Sequence, residues 1–186
     1  MKRYFAVVSM MCLFALTGIV GAVAQEVQKA NPATNFEYDL NEAGDGVIIK
    51  KYTGTSTEVV IPAEIEDFPV VAIRFAAFKG TNVISVVFPN SIRRIGDSCF
   101  EECSYLQKVV LPNSNIEISS SCFAGCTSLQ NVVLPKNLKT IAENLFKDCT
   151  ALKTITLPDS IETIYKDAFQ NSGLESITIP DSVKQI

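Results

Sequence analysis

The sequence predicts a solenoid. Short strands stack into a parallel β-sheet on one face, short helical or 3-10 segments lie opposite, and an N-terminal β-hairpin caps the stack. Three observations predict it. Apolar–proline dipeptides end at Pro62, Pro89, Pro112, Pro135, Pro158 and Pro180, at intervals of 27, 23, 23, 23 and 22 residues. Phe78, Phe100, Phe123, Phe146 and Phe169 keep the same beat, as do Ile73, Ile95, Ile118, Ile141, Ile164 and Ile186. The residues before each proline alternate, as in Lys108-Val109-Val110-Leu111. Units this short cannot bury their own apolar residues, so each must cover the next.

Residues 1–24 read as a secretory signal peptide. Lys2 and Arg3 precede an uncharged run from Phe5 to Val20, and Ala22-Val23-Ala24 forms a small-residue cleavage site. The run is short for a membrane span, which takes about 20 apolar residues, so no transmembrane segment is expected after cleavage. Residues 25–35 are polar, contain Pro32 and read as a tether. In residues 36–61, Phe36–Leu40 alternates, 41–46 turns and Val47–Tyr52 alternates again, which predicts a hairpin cap and a lead-in strand. Residues 62–186 hold about five repeats. The first carries an insertion around Asp67-Phe68-Pro69, and the last stops in mid-unit at Ile186.

Asn90–Pro112 shows how one unit is built. Val109 and Leu111 point one way, Lys108 and Val110 the other, and Pro112 closes the strand because it cannot donate to a ladder. Asn-Ser or Asp-Ser turns the chain after the proline, at Asn90-Ser91, Asp159-Ser160 and Asp181-Ser182. The apolar positions 99, 100, 103 and 106 are three and four apart, which predicts a helical or 3-10 segment.

Composition excludes several functions. The chain has no histidine, which removes Ser-His-Asp and Cys-His catalysis and His-ligated zinc. It has no G-x-G-x-x-G or P-loop, so no nucleotide cofactor is implied. Removing residues 1–24, with two of the 16 basic residues and none of the 20 acidic ones, takes the net charge from −4 to −6. An acidic chain without a basic run has no footprint for nucleic acid. The carboxylate pairs Glu101/Glu102 and Glu64/Glu66 read as solvated surface, and no enzyme is predicted.

Two near-identical stretches, Ser98–Pro112 and Ser121–Pro135, each contain a C-x-x-x-C. In register, Cys103, Cys126 and Cys149 share one phase with Ser172, whereas Cys99 and Cys122 share another with Leu145 and Ala168. Exchange with Leu, Ala and Ser marks structural packing positions. A straight row suits no tetrahedral zinc site. Its Cα spacing is compatible with a disulfide, but parallel Cβ vectors do not favour one.

The motif in IGDSCFEECSYLQKVVLP, NLFKDCTALKTITLPDSIETI and DAFQNSGLESITIPDSV resembles the BspA-like leucine-rich repeat. The likeness covers about residues 36–186 and includes the lead-in VIIKKYTGTSTEVVIPAEI. Ala142 and Tyr165 replace the motif glycine, Cys99, Cys122 and Leu145 its alanine, and Ser172 its cysteine. The resemblance implies a leucine-rich-repeat solenoid in an exported bacterial protein, at the cell surface or secreted, with a role in adhesion to host matrix or cell-surface proteins.

The candidate binding face is the outward row of the strands. One column reads Val87, Val110, Val133, Thr156 and Thr178, and beside it run Ser85, Lys108, Asn131, Thr154 and Ser176. Solenoids bind on such extended faces, and an exposed apolar stripe marks interaction surfaces. β-branched residues also suit exposed strands with no partner. Five strands leave four gaps, a face only about 19 Å wide. A structural alternative is a spacer that self-associates end to end through its open last coil.

Overall fold

The computed structural model describes residues 29–186, so the predicted signal peptide and the first residues of the tether lie outside the described residues. Twelve strands follow in chain order: β1 (Phe36–Leu40), β2 (Val47–Tyr52), β3 (Glu58–Val60), β4 (Glu64–Ile65), β5 (Phe68–Ile73), β6 (Ser85–Val87), β7 (Arg94–Ile95), β8 (Lys108–Val110), β9 (Glu117–Ile118), β10 (Asn131–Val133), β11 (Thr140–Ile141) and β12 (Thr163–Ile164). They form a parallel solenoid with two strand-bearing sides rather than one. The sheet of proline-ended strands has the order β10-β8-β6-β3, and a second has the order β1-β2-β5-β7-β9, continued by the separate pair β11-β12.

The second side carries the repeating isoleucines. Ile73 pairs with Ile95, Ile95 with Ile118, and Ile141 with Ile164. One coil thus supplies an isoleucine from one side and a Val109-type residue from the other, and these are buried except for the half-buried Val132. The hairpin β1–β2 is antiparallel, as its alternation predicts, and β2 pairs in parallel with β5. The insertion in the first unit folds as a smaller hairpin. β4 pairs antiparallel with β5 around Glu66 and Asp67, both at positive φ (52° and 68°).

Residues 29–35 do not hang free as a tether. Asn31 donates its backbone N–H to the carbonyl of Val60 and accepts the Val60 N–H on its side-chain oxygen, at 2.9 and 2.7 Å. Asn35 accepts the Thr53 N–H at 2.9 Å. This segment therefore covers the outer edge of β3.

The helical expectation for 99–106 is corrected. Among the described residues the only helix is the 3-10 turn Ala33–Asn35. Each unit instead bends through two left-handed residues four apart: Ala76 and Gly80, Ser98 and Glu102, Ser121 and Gly125, Asn144 and Asp148, Asp167 and Asn171. Single-turn bonds occur, such as Cys103 N–H to Phe100 O at 3.1 Å and Leu106 N–H to Cys103 O at 3.0 Å. The left-handed residues turn alternate N–H groups outward, so Ser98, Phe100 and Glu102 donate to Ser120, Cys122 and Ala124 of the next coil at 2.8–2.9 Å. A continuous helix would spend those donors within its own coil.

A column of rings runs through the core. Tyr52, Phe78, Phe100, Phe123, Phe146 and Phe169 stack with centroids 4.8–5.7 Å apart and planes within 22° of parallel. This offset stacking matches the coil spacing. The turn serines add a second column. Ser91, Ser114, Ser160 and Ser182 donate their hydroxyls to Val70, Ile92, Leu138 and Ile161 of the preceding coil at 2.6–3.1 Å.

Candidate functional site

The proline-ended sheet presents a column of valines to solvent. Val60 pairs with Val87, Val87 with Val110, and Val110 with Val133. Val87, Val110 and Val133 are 44%, 45% and 52% exposed, whereas the alternate residues Val59, Val86 and Val109 are buried. Strand alternation sets this up, since the inward valine fills the core and forces its neighbours outward. Glu58, Ser85, Lys108 and Asn131 form the adjacent column in the same register. Sequence reading missed Val60 and Glu58. Val60 stands directly before Ile61-Pro62, the same signal that marks the other members.

The sheet has four strands and ends at β10. Thr154, Thr156, Ser176 and Thr178 continue the columns as exposed residues, but residues 152–158 and 174–180 form no strand. The gap opens the core. Val132 is only half-buried and Ile155 packs partly buried against the cluster. Two clefts follow on this face. One, of about 730 Å³, is lined by Val87, Phe88, Lys108, Val110, Pro112 and Val133. The other, of about 360 Å³, lies between Val132, Val133, Leu134, Lys136, Thr156 and Pro158.

The cysteines are brought together as two rows, not as a site. The five cysteines among the described residues are all buried with free thiols. Cys103, Cys126 and Cys149 donate Sγ–H to the carbonyls of Phe78, Phe100 and Phe123 of the preceding coil, at 3.0, 3.1 and 3.1 Å. Burial raises the Cys103, Cys126 and Cys149 thiols, the last to about 12. Cys122 is raised by burial and then by a hydrogen bond with the Cys99 thiol beside it. Thiols held neutral are poor nucleophiles and poor ligands. Cys103, Cys126 and Cys149 thus bond one coil to the next, where sequence reading saw packing alone. Among the described residues no group of three or more acidic or cysteine side chains is placed to hold a metal ion.

Of the paired carboxylates, Glu101 and Glu102 line a third cleft, of about 380 Å³, at the bends of the coils with Asn144, Lys147 and Asp148. Glu101 is bonded to Lys79 at 2.8 Å, which lowers its pKa and raises that of the lysine. Glu66 accepts the Tyr38 hydroxyl at 3.1 Å. No helix of the described residues is long and apolar enough to cross a membrane.

Comparison with known proteins gives a consistent picture. Residues 71–186 match the family described as the BspA type leucine rich repeat region, in six copies. No curated protein matches the chain. A solved leucine rich repeat protein of T. pallidum is 35% identical over 82% of this chain and 72% of its own, with a TM-score of 0.78. A leucine rich cell surface protein of Faecalibacterium prausnitzii A2-165 is 26% identical over 88% of this chain, with a TM-score of 0.64. This chain spans only about half of that protein's length, 52%.

Proposed function

Because the chain belongs to the BspA type leucine-rich-repeat family, we propose that it is a non-catalytic protein-binding module of an exported bacterial surface or secreted protein, engaged in adhesion to a host or matrix protein. The observation that carries the reading is the in-register column Val60–Val87–Val110–Val133. Three of its members are about half exposed although every inward neighbour but one is fully buried. Exposed apolar stripes on rigid scaffolds mark interaction surfaces. The signal-like residues 1–24 and the surface description of the F. prausnitzii neighbour support export.

The test is saturable binding of the protein to immobilised matrix proteins and to host cells, compared with Val110→Lys and Val133→Lys. Both substitutions sit on exposed positions and leave the core intact. Loss of binding with unchanged circular dichroism supports the reading. Saturable binding indifferent to both variants, or no binding by the folded protein, would sink it.

A further inference from the structure

The two clefts on the valine face share a charge pattern that names the chemistry of the partner. Lys108 lines the larger cleft and Lys136 the smaller, and no carboxylate lines either. Among the described residues neither lysine forms an ion pair. Lys79 is matched across coils with Glu101 at 2.8 Å, and Lys139 and Lys184 with Glu162 at 2.9 Å each; among the described residues Lys51, Lys147 and Lys153 form no ion pair either, but none of them lines the valine-face clefts. The nearest acids by register are Glu58, two strands from Lys108, and Asp159, which follows Pro158 in the next coil. In a chain of net charge −4, two unmatched cations beside apolar clefts form a positive centre between acidic ends.

Area decides the size of the occupant. Four strands leave three gaps, so the paired face is about 14 Å wide, and three-residue strands are about 10 Å long. A stable interface between two copies needs about 800 Å² from each, far more than this patch supplies. A short extended segment needs much less. Beyond β10 the next coil continues without strand pairing, and the smaller cleft lies between the two, at Val132, Val133, Thr156 and Pro158.

We propose that the valine face takes an extended acidic segment of a partner protein. Apolar side chains fill the clefts at Val87, Val110 and Val133, and an Asp or Glu carboxylate meets Lys108 or Lys136. This proposal rests on the protein-binding reading above and specifies its partner.

The probe is a phage-displayed library of random linear peptides selected on the immobilised protein. The expected winners combine Asp or Glu with β-branched or aromatic residues and are lost on Val110→Ser. The double variant Lys108→Glu, Lys136→Glu weakens a synthetic acidic winner by at least about fivefold and selects Lys- or Arg-bearing peptides instead. Circular dichroism checks that each variant folds. Winners that need Val110 but ignore the charge reversal, or are basic, overturn the acidic partner and leave the binding face standing. Winners indifferent to Val110 overturn both. An empty selection overturns the extended segment, and the matrix-protein assay then judges the face by itself.

Discussion

The Sγ of Cys126 lies 3.1 Å from the carbonyl oxygen of Phe100, one coil earlier, and donates to it. The same bond recurs one coil on, from Cys149 to Phe123. The thiols are therefore part of the inter-coil bonding, and their protonated form is the one the fold requires.

The first prediction concerns reactivity. Cys99, Cys103, Cys122, Cys126 and Cys149 should resist an aromatic disulfide reagent in the native protein and react after unfolding in guanidinium. Fast reaction of the native protein would contradict their burial. Stability should also fall in alkali. The Cys149 pKa is raised from 9.0 to about 12, so the neutral thiol's contribution is complete below pH 9 and is lost as pH rises toward 12. Melting temperatures between pH 8 and 11 measure it, with Cys149→Ser showing the shallower fall.

A second prediction concerns acid. Lys139 and Lys184 both bond to Glu162, and these hydrogen bonds hold its carboxyl at about 2, against an ordinary 4.5. A depressed carboxyl stabilises the fold above its unfolded pKa, and that contribution is lost as pH falls from about 4.5 toward 2. Glu162→Gln should flatten the acid limb of the melting curve in low salt. An unchanged limb would show that the lysine pair contributes nothing.

The ring column gives the third. Phe123 is fully buried between Phe100 and Phe146, with centroids 5.6 and 5.7 Å away. Phe123→Ala should cost about 3–5 kcal/mol, read from urea unfolding. A cost below about 1 kcal/mol would mean that the stack collapses freely around the gap.

A fourth contrasts two small residues. A Cβ at Gly173 would strike the carbonyl oxygen of Thr150 in the previous coil, so Gly173→Ala should cost about 1–3 kcal/mol. Ser119 holds the motif place of Gly96 and Ala142, and its hydroxyl is buried without a hydrogen-bond partner. Ser119→Ala should be neutral or stabilise by about 1 kcal/mol. Parallel melts of the two variants test both, and a destabilising Ser119→Ala would reveal a partner for the hydroxyl.

Much of this was legible because the units repeat. Val109-type alternation locates β6, β8 and β10, and the phenylalanine beat locates the ring column. Tyr52 escaped that beat because the first unit's insertion puts it 26 residues before Phe78. Strands β7, β9, β11 and β12 have two residues each, too few to display a period of two. The gaps at 99, 100, 103 and 106 imitate a helix, but Asn144, Asp148, Asp167 and Asn171 at the equivalent bends favour left-handed backbone, and that was the available clue. On the candidate face, Thr156 and Thr178 fit the same alternation as Val110. Alternation reports which way a side chain points, not whether two coils come within hydrogen-bonding distance, so the end of the sheet at β10 was invisible.

The bonds between coils, from Ser98 to Ser120, Phe100 to Cys122 and Glu102 to Ala124, all run along the stacking axis. A force applied along that axis therefore loads them a coil at a time, as in opening a zipper, not all together in shear. Each detached coil of about 23 residues would release about 78 Å of chain at about 3.4 Å per residue. Under tension such a stack yields in small, regular steps, and its reach grows while the coils still in place keep their shape.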